Sequence, residues 1–163
     1  MAIVYIGIGS NIGNRQENCR EAVRQLALRG LKVGRQSSMI ETEPWGVAEQ
    51  PRFMNMAVEA ETDLSPKLLY DVLKDIETAM GRRKAVRWGP RVIDLDILFY
   101  DDLILDTDGL IIPHPSLQER DFVLIPLAEI APEKIHPRLN RTVAELSVAL
   151  SEKTQLSEES DTP

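Results

Sequence analysis

One stretch, Val92-Ile93-Asp94-Leu95-Asp96-Ile97-Leu98-Phe99-Tyr100, constrains the chain more than any other. Side chains alternate across a β-strand, so this stretch sends Ile93, Leu95, Ile97 and Phe99 to a core and turns Asp94 and Asp96 to the opposite face. The fold must therefore contain a sheet with one face under apolar cover and another able to hold paired carboxylates. By strand rise the two aspartates stand roughly 6.6 Å apart, near enough for their oxygens to converge on one or two hard cations. Their mutual repulsion asks for a counter-charge. Paired Mg²⁺ ions bridging carboxylates to phosphates would supply it, whereas two aspartates on a solvated sheet face would leave it to water.

The rest of the chain supplies partners for this strand. An apolar run at 2–8 ends at Gly9-Ser10-Asn11, and Cys19, Ala22, Val23, Leu26 and Ala27 then recur at helical spacing up to Gly30. Residues 31–40 are read as one extended segment running into a loop at Glu41–Gly46, and 53–62 as a strand. Ser65-Pro66 is an N-cap followed by proline at the first helical turn, and Leu68, Leu69, Val72, Leu73, Ile76 and Met80 form one apolar face before Gly81. A turn is expected near Asp101-Asp102, a stiff loop at Pro113-His114-Pro115, a short helical region at 116–130 and a final helix at 141–150. The order strand, helix, strand, strand, helix, strand predicts an α+β sandwich of the ferredoxin-like kind, a mainly antiparallel sheet with two helices on one face. One domain is expected over 1–150, and the polar residues 151–163 are expected to be a disordered tail.

Charge narrows the ligand. The chain carries 19 basic and 26 acidic residues, net −7, which argues against general binding to nucleic acid or membrane surfaces. Yet Arg82, Arg83, Lys84, Arg87 and Arg91 occupy ten residues free of any acid. A cationic island on an acidic protein suits a small polyanion, arginine adding bidentate geometry and lysine a point charge, although such runs are more usually a solvated surface. No apolar run is long enough to cross a membrane and the start lacks a secretory signal, so a cytoplasmic location is expected. With Cys19 the sole cysteine and His114 and His136 the sole histidines, no zinc spacing exists; any metal is expected to be hard and carboxylate-bound.

Other candidates are weaker alone. Phe53, Asn55 and Ala57 share a strand face, where an aromatic plane beside a primary amide can stack on a flat heterocycle and read its edge; a core Phe beside an edge Asn is the plainer alternative. The Gly7-x-Gly9-Ser10-Asn11-x-Gly13 turn fits neither the dinucleotide fingerprint nor the P-loop, and its glycines are read as allowing close backbone approach. Cys19 is read as a small core residue. His114, Arg120 and Phe122 come from a distant segment.

Taken together, Gly9-Ser10-Asn11, Thr42-x-Pro44-x-Gly46, Phe53-x-Asn55, Gly81-Arg82, Arg87-Trp88-Gly89-Pro90-Arg91-x-x-Asp94-Leu95-Asp96-Ile97, Pro113-His114-Pro115 and Arg120-x-Phe122 resemble the 6-hydroxymethyl-7,8-dihydropterin pyrophosphokinases of folate biosynthesis, over about residues 3–148. The resemblance implies transfer of the terminal diphosphate of ATP to the hydroxymethyl oxygen of the pterin, releasing AMP. It implies that Asp94 and Asp96 hold two Mg²⁺ ions and that Arg82 and Arg91 stabilise charge at the attacked phosphorus. Lys84, Arg87, Trp88, His114 and Arg120 would hold ATP, with Glu77 and Ile97 lining the nucleotide pocket. Phe53 and Phe122 would sandwich the pterin, Asn55 would read its amide edge, and Thr42, Pro44 and Trp45 would complete its pocket. The chain departs from the family pattern at Lys84, which stands where a second arginine is common; the charge is kept and the bidentate geometry is not. The glycine and proline of the basic segment fit a mobile lid. A monomer is expected, with ATP and pterin rather than nucleic acid as partners. Two rival readings are an RNA-binding module using Phe53 and the basic island, and a metal-dependent phosphoesterase using Asp94 and Asp96.

Overall fold

The opening apolar run forms β1 (Ala2–Ser10) in a computed structural model that describes residues 1–42, 52–81, 92–107 and 109–160. Asn14 then caps α1 (Arg15–Leu28), its side-chain oxygen accepting the Glu17 N–H at 3.2 Å, and Gly30 leaves the helix at φ +91°. The segment expected as one extended piece divides into β2 (Lys32–Gln36) and β3 (Ile40–Thr42), followed by β4 (Phe53–Thr62). Ser65 caps α2 (Pro66–Ala79), with its oxygen accepting from the Leu68 N–H at 3.3 Å. Next come β5 (Asp94–Tyr100), the hairpin of β6 (Leu105–Thr107) and β7 (Leu110–Ile112), and α3 (Asp121–Ile130) after a single 3₁₀ turn at Leu117–Glu119. A small hairpin of β8 (Ile135–His136) and β9 (Arg141–Thr142) leads to α4 (Val143–Ser160).

The main sheet is antiparallel with order β2-β4-β1-β5, and β3 continues along β4 beyond β2. This is the ferredoxin-like order expected, with β5 at an edge. On one face, Val4, Ile6 and Ile8 of β1 pack with Cys19, Ala22 and Leu26 of α1 and Leu69, Leu73 and Ile76 of α2. Cys19 is fully buried there, as expected of a core residue.

The opposite face is covered as well, which the expectation of helices on one side did not include. Tyr5, Ala57, Leu98 and Phe99 pack under Leu124, Leu127 and Ile130 of α3 and Val143 and Leu146 of α4. Phe99 reaches this second core because β5 bulges: Tyr5 pairs with Phe99 but Ile6 pairs with Ile97, leaving Leu98 as the extra residue. The expected grouping of Phe99 with Ile93, Leu95 and Ile97 is thereby corrected, since one inserted residue reverses the faces of everything after it. The Phe99 ring meets Tyr5 edge-on at 6.1 Å and His136 at 5.7 Å. His136 ties its own turn, Nδ1 accepting the Arg138 and Leu139 N–H groups, each at 3.2 Å.

A capping box starts α4: Thr142 Oγ1 accepts the Glu145 N–H and Glu145 Oε1 accepts the Thr142 N–H, both at 3.1 Å. The helix then runs past its expected end at 150, so the expected tail is helical as far as Ser160. Residues 151–160 contain no glycine or proline, and adding such residues to a helix already nucleated costs little.

Candidate active site

The sheet register gathers the singled-out side chains. Gly9 of β1 pairs with Asn55 on one side and Asp94 on the other, and Gly7 pairs in the same way with Ala57 and Asp96. Residues opposed in an antiparallel ladder share a face, so Asn55, Asp94 and Asp96 all project from one face, the one that α3 and α4 cover farther along. Between the two outer strands lies β1, which presents only glycine hydrogens at these positions. The carboxylates and the amide thus flank a trough spanning two strand spacings, roughly 9–10 Å. Gly9 is required in a specific way: a Cβ there would lie 2.8 Å from Asn55 Oδ1 and 3.6 Å from the Phe53 ring. The glycine turn therefore makes room for neighbouring side chains rather than for a phosphate.

Beside the trough, a cavity of about 200 Å³ opens between α2, the β5 edge and the β6–β7 hairpin, lined among others by Tyr70, Lys74, Asp96, Ile97, Leu110 and His114. Glu77 is 1% exposed and serves two of the lining residues. Its Oε2 accepts the Leu95 N–H at 2.8 Å, and its Oε1 meets Lys74 Nζ at 3.0 Å. The edge strand that carries the aspartates is thus tied to α2 by a buried carboxylate.

Electrostatics mark the same corner. Burial and then the Asp94 charge push the Asp96 carboxyl up to about 7, with Glu77 adding and Lys74 and Arg120 opposing. His114 is pushed down to about 4 by burial and by Arg120, against the pull of Asp94. It is therefore neutral at pH 7. Its Nδ1 accepts the Ser116 N–H at 3.2 Å, which assigns the ring proton to Nε2 as a hydrogen-bond donor. The Arg120 guanidinium stacks on the Phe122 ring, 5.6 Å from its centroid.

The structure thus brings Asp94, Asp96, Glu77, Ile97, His114 and Arg120 to one end of the sheet, with Phe122 beneath Arg120. Phe53 and Asn55 stand across β1 from the aspartates, and Thr42 pairs with Phe53 at the start of β4. Pro44, Trp45, Arg82, Lys84, Arg87, Trp88 and Arg91 lie outside the described residues. Sequence reasoning missed Tyr70 and Lys74. The spacing Lys74–Glu77 on a helix was the available signal for the latter.

The donor set, two carboxylates on one face, fits a hard divalent cation better than a soft one. Among the described residues no cluster of three or more His, Cys, Asp or Glu side chains forms a metal cage. A cation here would share its coordination with ligand oxygens.

A cavity and two carboxylates thus meet at one end of the sheet, with Phe53 and Asn55 across β1. Residues 5–132 match the family described as 7,8-dihydro-6-hydroxymethylpterin-pyrophosphokinase. The chain belongs to this family. A Bacillus subtilis relative named 2-amino-4-hydroxy-6-hydroxymethyldihydropteridine pyrophosphokinase is 48% identical over 129 residues, covering 78% of this chain and 77% of the relative. A mitochondrial bifunctional folate synthesis protein of Arabidopsis thaliana is 52% identical over 127 residues, covering 78% of this chain but 23% of the relative. A crystal structure of HPPK-DHPS in complex with substrates superposes at TM-score 0.80 and 15% identity, over 97% of this chain and 45% of the other, and shows a shared fold. The chain thus spans under half of that solved protein and about a quarter of the plant relative.

Proposed function

We propose that this pyrophosphokinase family member transfers the terminal diphosphate of ATP to the hydroxymethyl oxygen of a 6-hydroxymethyl-7,8-dihydropterin. The oxygen attacks the β-phosphorus, the bond from that phosphorus to the α-phosphate oxygen breaks, AMP leaves, and the hydroxyl proton goes to solvent or a nearby base. The observation that carries the reading is the register placing Asn55 and the two aspartates on one face across Gly7 and Gly9. It supports the reading because Asn55 would read the ring while the aspartate pair opposite would handle the phosphates.

Asp94 and Asp96 would hold two Mg²⁺ ions, which when bound supply positive charge to the polyphosphate and favour ionisation of the attacking hydroxyl. The chain's own residues do the positioning. His114 offers its Nε2–H, and Arg120 its guanidinium, to phosphate oxygens. Lys84, Arg87 and Trp88 would extend that hold, and Arg82 and Arg91 would offset charge developing around the attacked phosphorus. Phe53 and Phe122 would sandwich the ring while Asn55 reads its amide edge, with Thr42, Pro44 and Trp45 closing the pocket. Ile97 and the cavity wall would take the nucleotide, and Glu77 would keep that wall in place. Catalysis then rests on alignment and fixed charge rather than on a covalent intermediate. The same reading makes the protein a cytoplasmic monomer acting on small molecules; no helix among the described residues is long and apolar enough to cross a membrane.

Product analysis tests the reading. With Mg-ATP and the pterin alcohol, AMP is expected in amounts equal to the pterin diphosphate and only when both are present. ADP as the sole nucleotide product, or unchanged turnover with EDTA, would reject it. The trough supplies a second expectation. Gly9→Ala must shift the Asn55 side chain, so pterin affinity is expected to weaken about tenfold, the loss of one well-formed hydrogen bond, with ATP affinity held. Titration of pterin fluorescence against each variant measures it.

A further inference from the structure

Arg15 holds both chain segments that lead to the stacking face, and it belongs to no part of the machinery described above. Its guanidinium meets Glu41 Oε1 at 2.7 Å and donates to the backbone oxygen of Arg52 at 2.6 Å. Glu41 lies in β3, paired with Met54, and Arg52 directly precedes Phe53. One side chain thus grips the strand entering and the residue leaving the interval 43–51. It does so from a fixed base. Gly13, at φ +71°, and the Asn14 cap make Arg15 the first residue of α1. Asn18 Nδ2 holds the same turn by donating to Ser10 Oγ at 3.2 Å and to the Ile12 oxygen at 2.8 Å.

Surface ion pairs contribute little to stability, so stability alone gives a weak reason for this one. Its geometry differs from an ordinary pair. Two separate nitrogens of one rigid planar fork address a carboxylate and a carbonyl at once, so the two segments are held at a fixed spacing, and the Arg15 side chain is only 26% exposed. Among the described residues, the other ion pairs of α1, Arg20 with Glu17 and Arg24 with Glu17 and Glu21, stay within the helix.

We propose that Arg15 is a positioning residue for the pterin, acting through Glu41 and the Arg52 carbonyl to fix the start of β4 and hence the planes of Phe53 and Asn55. The inference rests on the proposed function, because it assigns the ring to that face. Arg15 touches neither the ring nor the phosphates. Its loss should therefore appear as a misplaced platform, seen in pterin KM, rather than in chemistry or nucleotide binding.

The experiment is steady-state kinetics on Arg15→Ala, Arg15→Lys, Glu41→Gln and, as a control on the same helix, Arg24→Ala, each with a thermal melt. Pterin KM is expected to rise about tenfold in Arg15→Ala and less in Arg15→Lys and Glu41→Gln, with kcat within about twofold and ATP KM unchanged. Arg24→Ala should match wild type. Adding Glu41→Gln to Arg15→Ala should raise pterin KM no further, since both remove one clasp. An unchanged pterin KM in Arg15→Ala would overturn the proposal. So would a joint fall in kcat and rise in both KM values that follows a loss of melting temperature, the mark of a merely structural residue. If Arg15→Ala does not fold, Arg15→Lys and Glu41→Gln decide by the same split. A wild-type protein that makes no AMP from ATP and pterin would reject the proposed function itself, a result visible before any variant is compared.

Discussion

Asp96→Asn is expected to lower turnover by about a thousandfold while making the metal-free protein more stable at alkaline pH. The loss follows from position. Asp96 lies beside Gly7 on the trough, lines the cavity between α2 and the β5 edge, and forms half of the only carboxylate pair that β5 offers. In the proposed function Asp96 would be a metal ligand at a polyphosphate, so removing it would delete an interaction strongest in the transition state, and single deletions of that kind cost on the order of 10²–10³ in kcat. The stability gain follows from the same environment. Burial and Asp94 hold the Asp96 carboxyl near 7, above its unfolded value of about 3.9, so the folded state binds the proton more tightly than the unfolded state does. Wild-type stability contributed by this group is therefore present below about pH 4 and is lost as pH rises towards 7. The asparagine variant has no such slope. Urea melts in EDTA should show the variant equal to wild type near pH 4 and more stable at pH 8, while product assays at pH 8 with magnesium show it nearly inactive. A variant that kept its activity would remove Asp96 from the site; one less stable at pH 8 would mean that the carboxylate is not strained there.

Opposite signs for activity and stability explain why this strand stood out in the sequence. The alternation from Ile93 to Ile97 is consistent with a half-buried strand, and its other face carries two like charges side by side, whose repulsion asks for a counter-charge. Local pattern also set β4, found at Phe53–Thr62 as read, and the Ser65-Pro66 start of α2. What local pattern could not carry was anything decided by a single inserted residue or by contact across the chain. Leu98 and Phe99 are both apolar, so nothing in their identity tells which of them is extra; only pairing with Tyr5 and Ile6 does. The cover on the second face was obscured for a related reason. Pro126 sits within α3 and the polar run after Leu150 continues α4, and each weakens the helical signal without preventing the helix. Arg15 sits 26 residues before Glu41 and 37 before the carbonyl it binds, so no spacing rule joins them. Family resemblance filled part of this gap for His114, Arg120 and Phe122, whose convergence with β5 is a product of topology.

The bulge itself can be tested, because it decides which core Phe99 stabilises. Phe99→Ala is expected to cost about 3–5 kcal/mol, the usual range for emptying a sealed aromatic site. Phe99 is fully buried, meets Tyr5 and His136 edge-on, and lies under Lys134 Nζ at 5.3 Å from its centroid. A domain of this size has about 5–15 kcal/mol in total, so the variant should unfold at much lower urea. Magnitude alone does not separate the two possible cores, but coupling does. With the bulge, Phe99 and Tyr5 share a face, and a double-mutant cycle between Phe99→Ala and Tyr5→Leu should return about 0.5–1.5 kcal/mol of interaction. Ile6 lies on the other face, so Phe99→Ala and Ile6→Val should add to within about 0.5 kcal/mol. Unbroken alternation would place Phe99 with Ile97 and Ile6 and reverse the two results. The reversal would also remove the reason that Leu98 packs over Gly7, where a Cβ would approach its side chain to 3.3 Å, and with it the close fit that sets the trough beside Asp96.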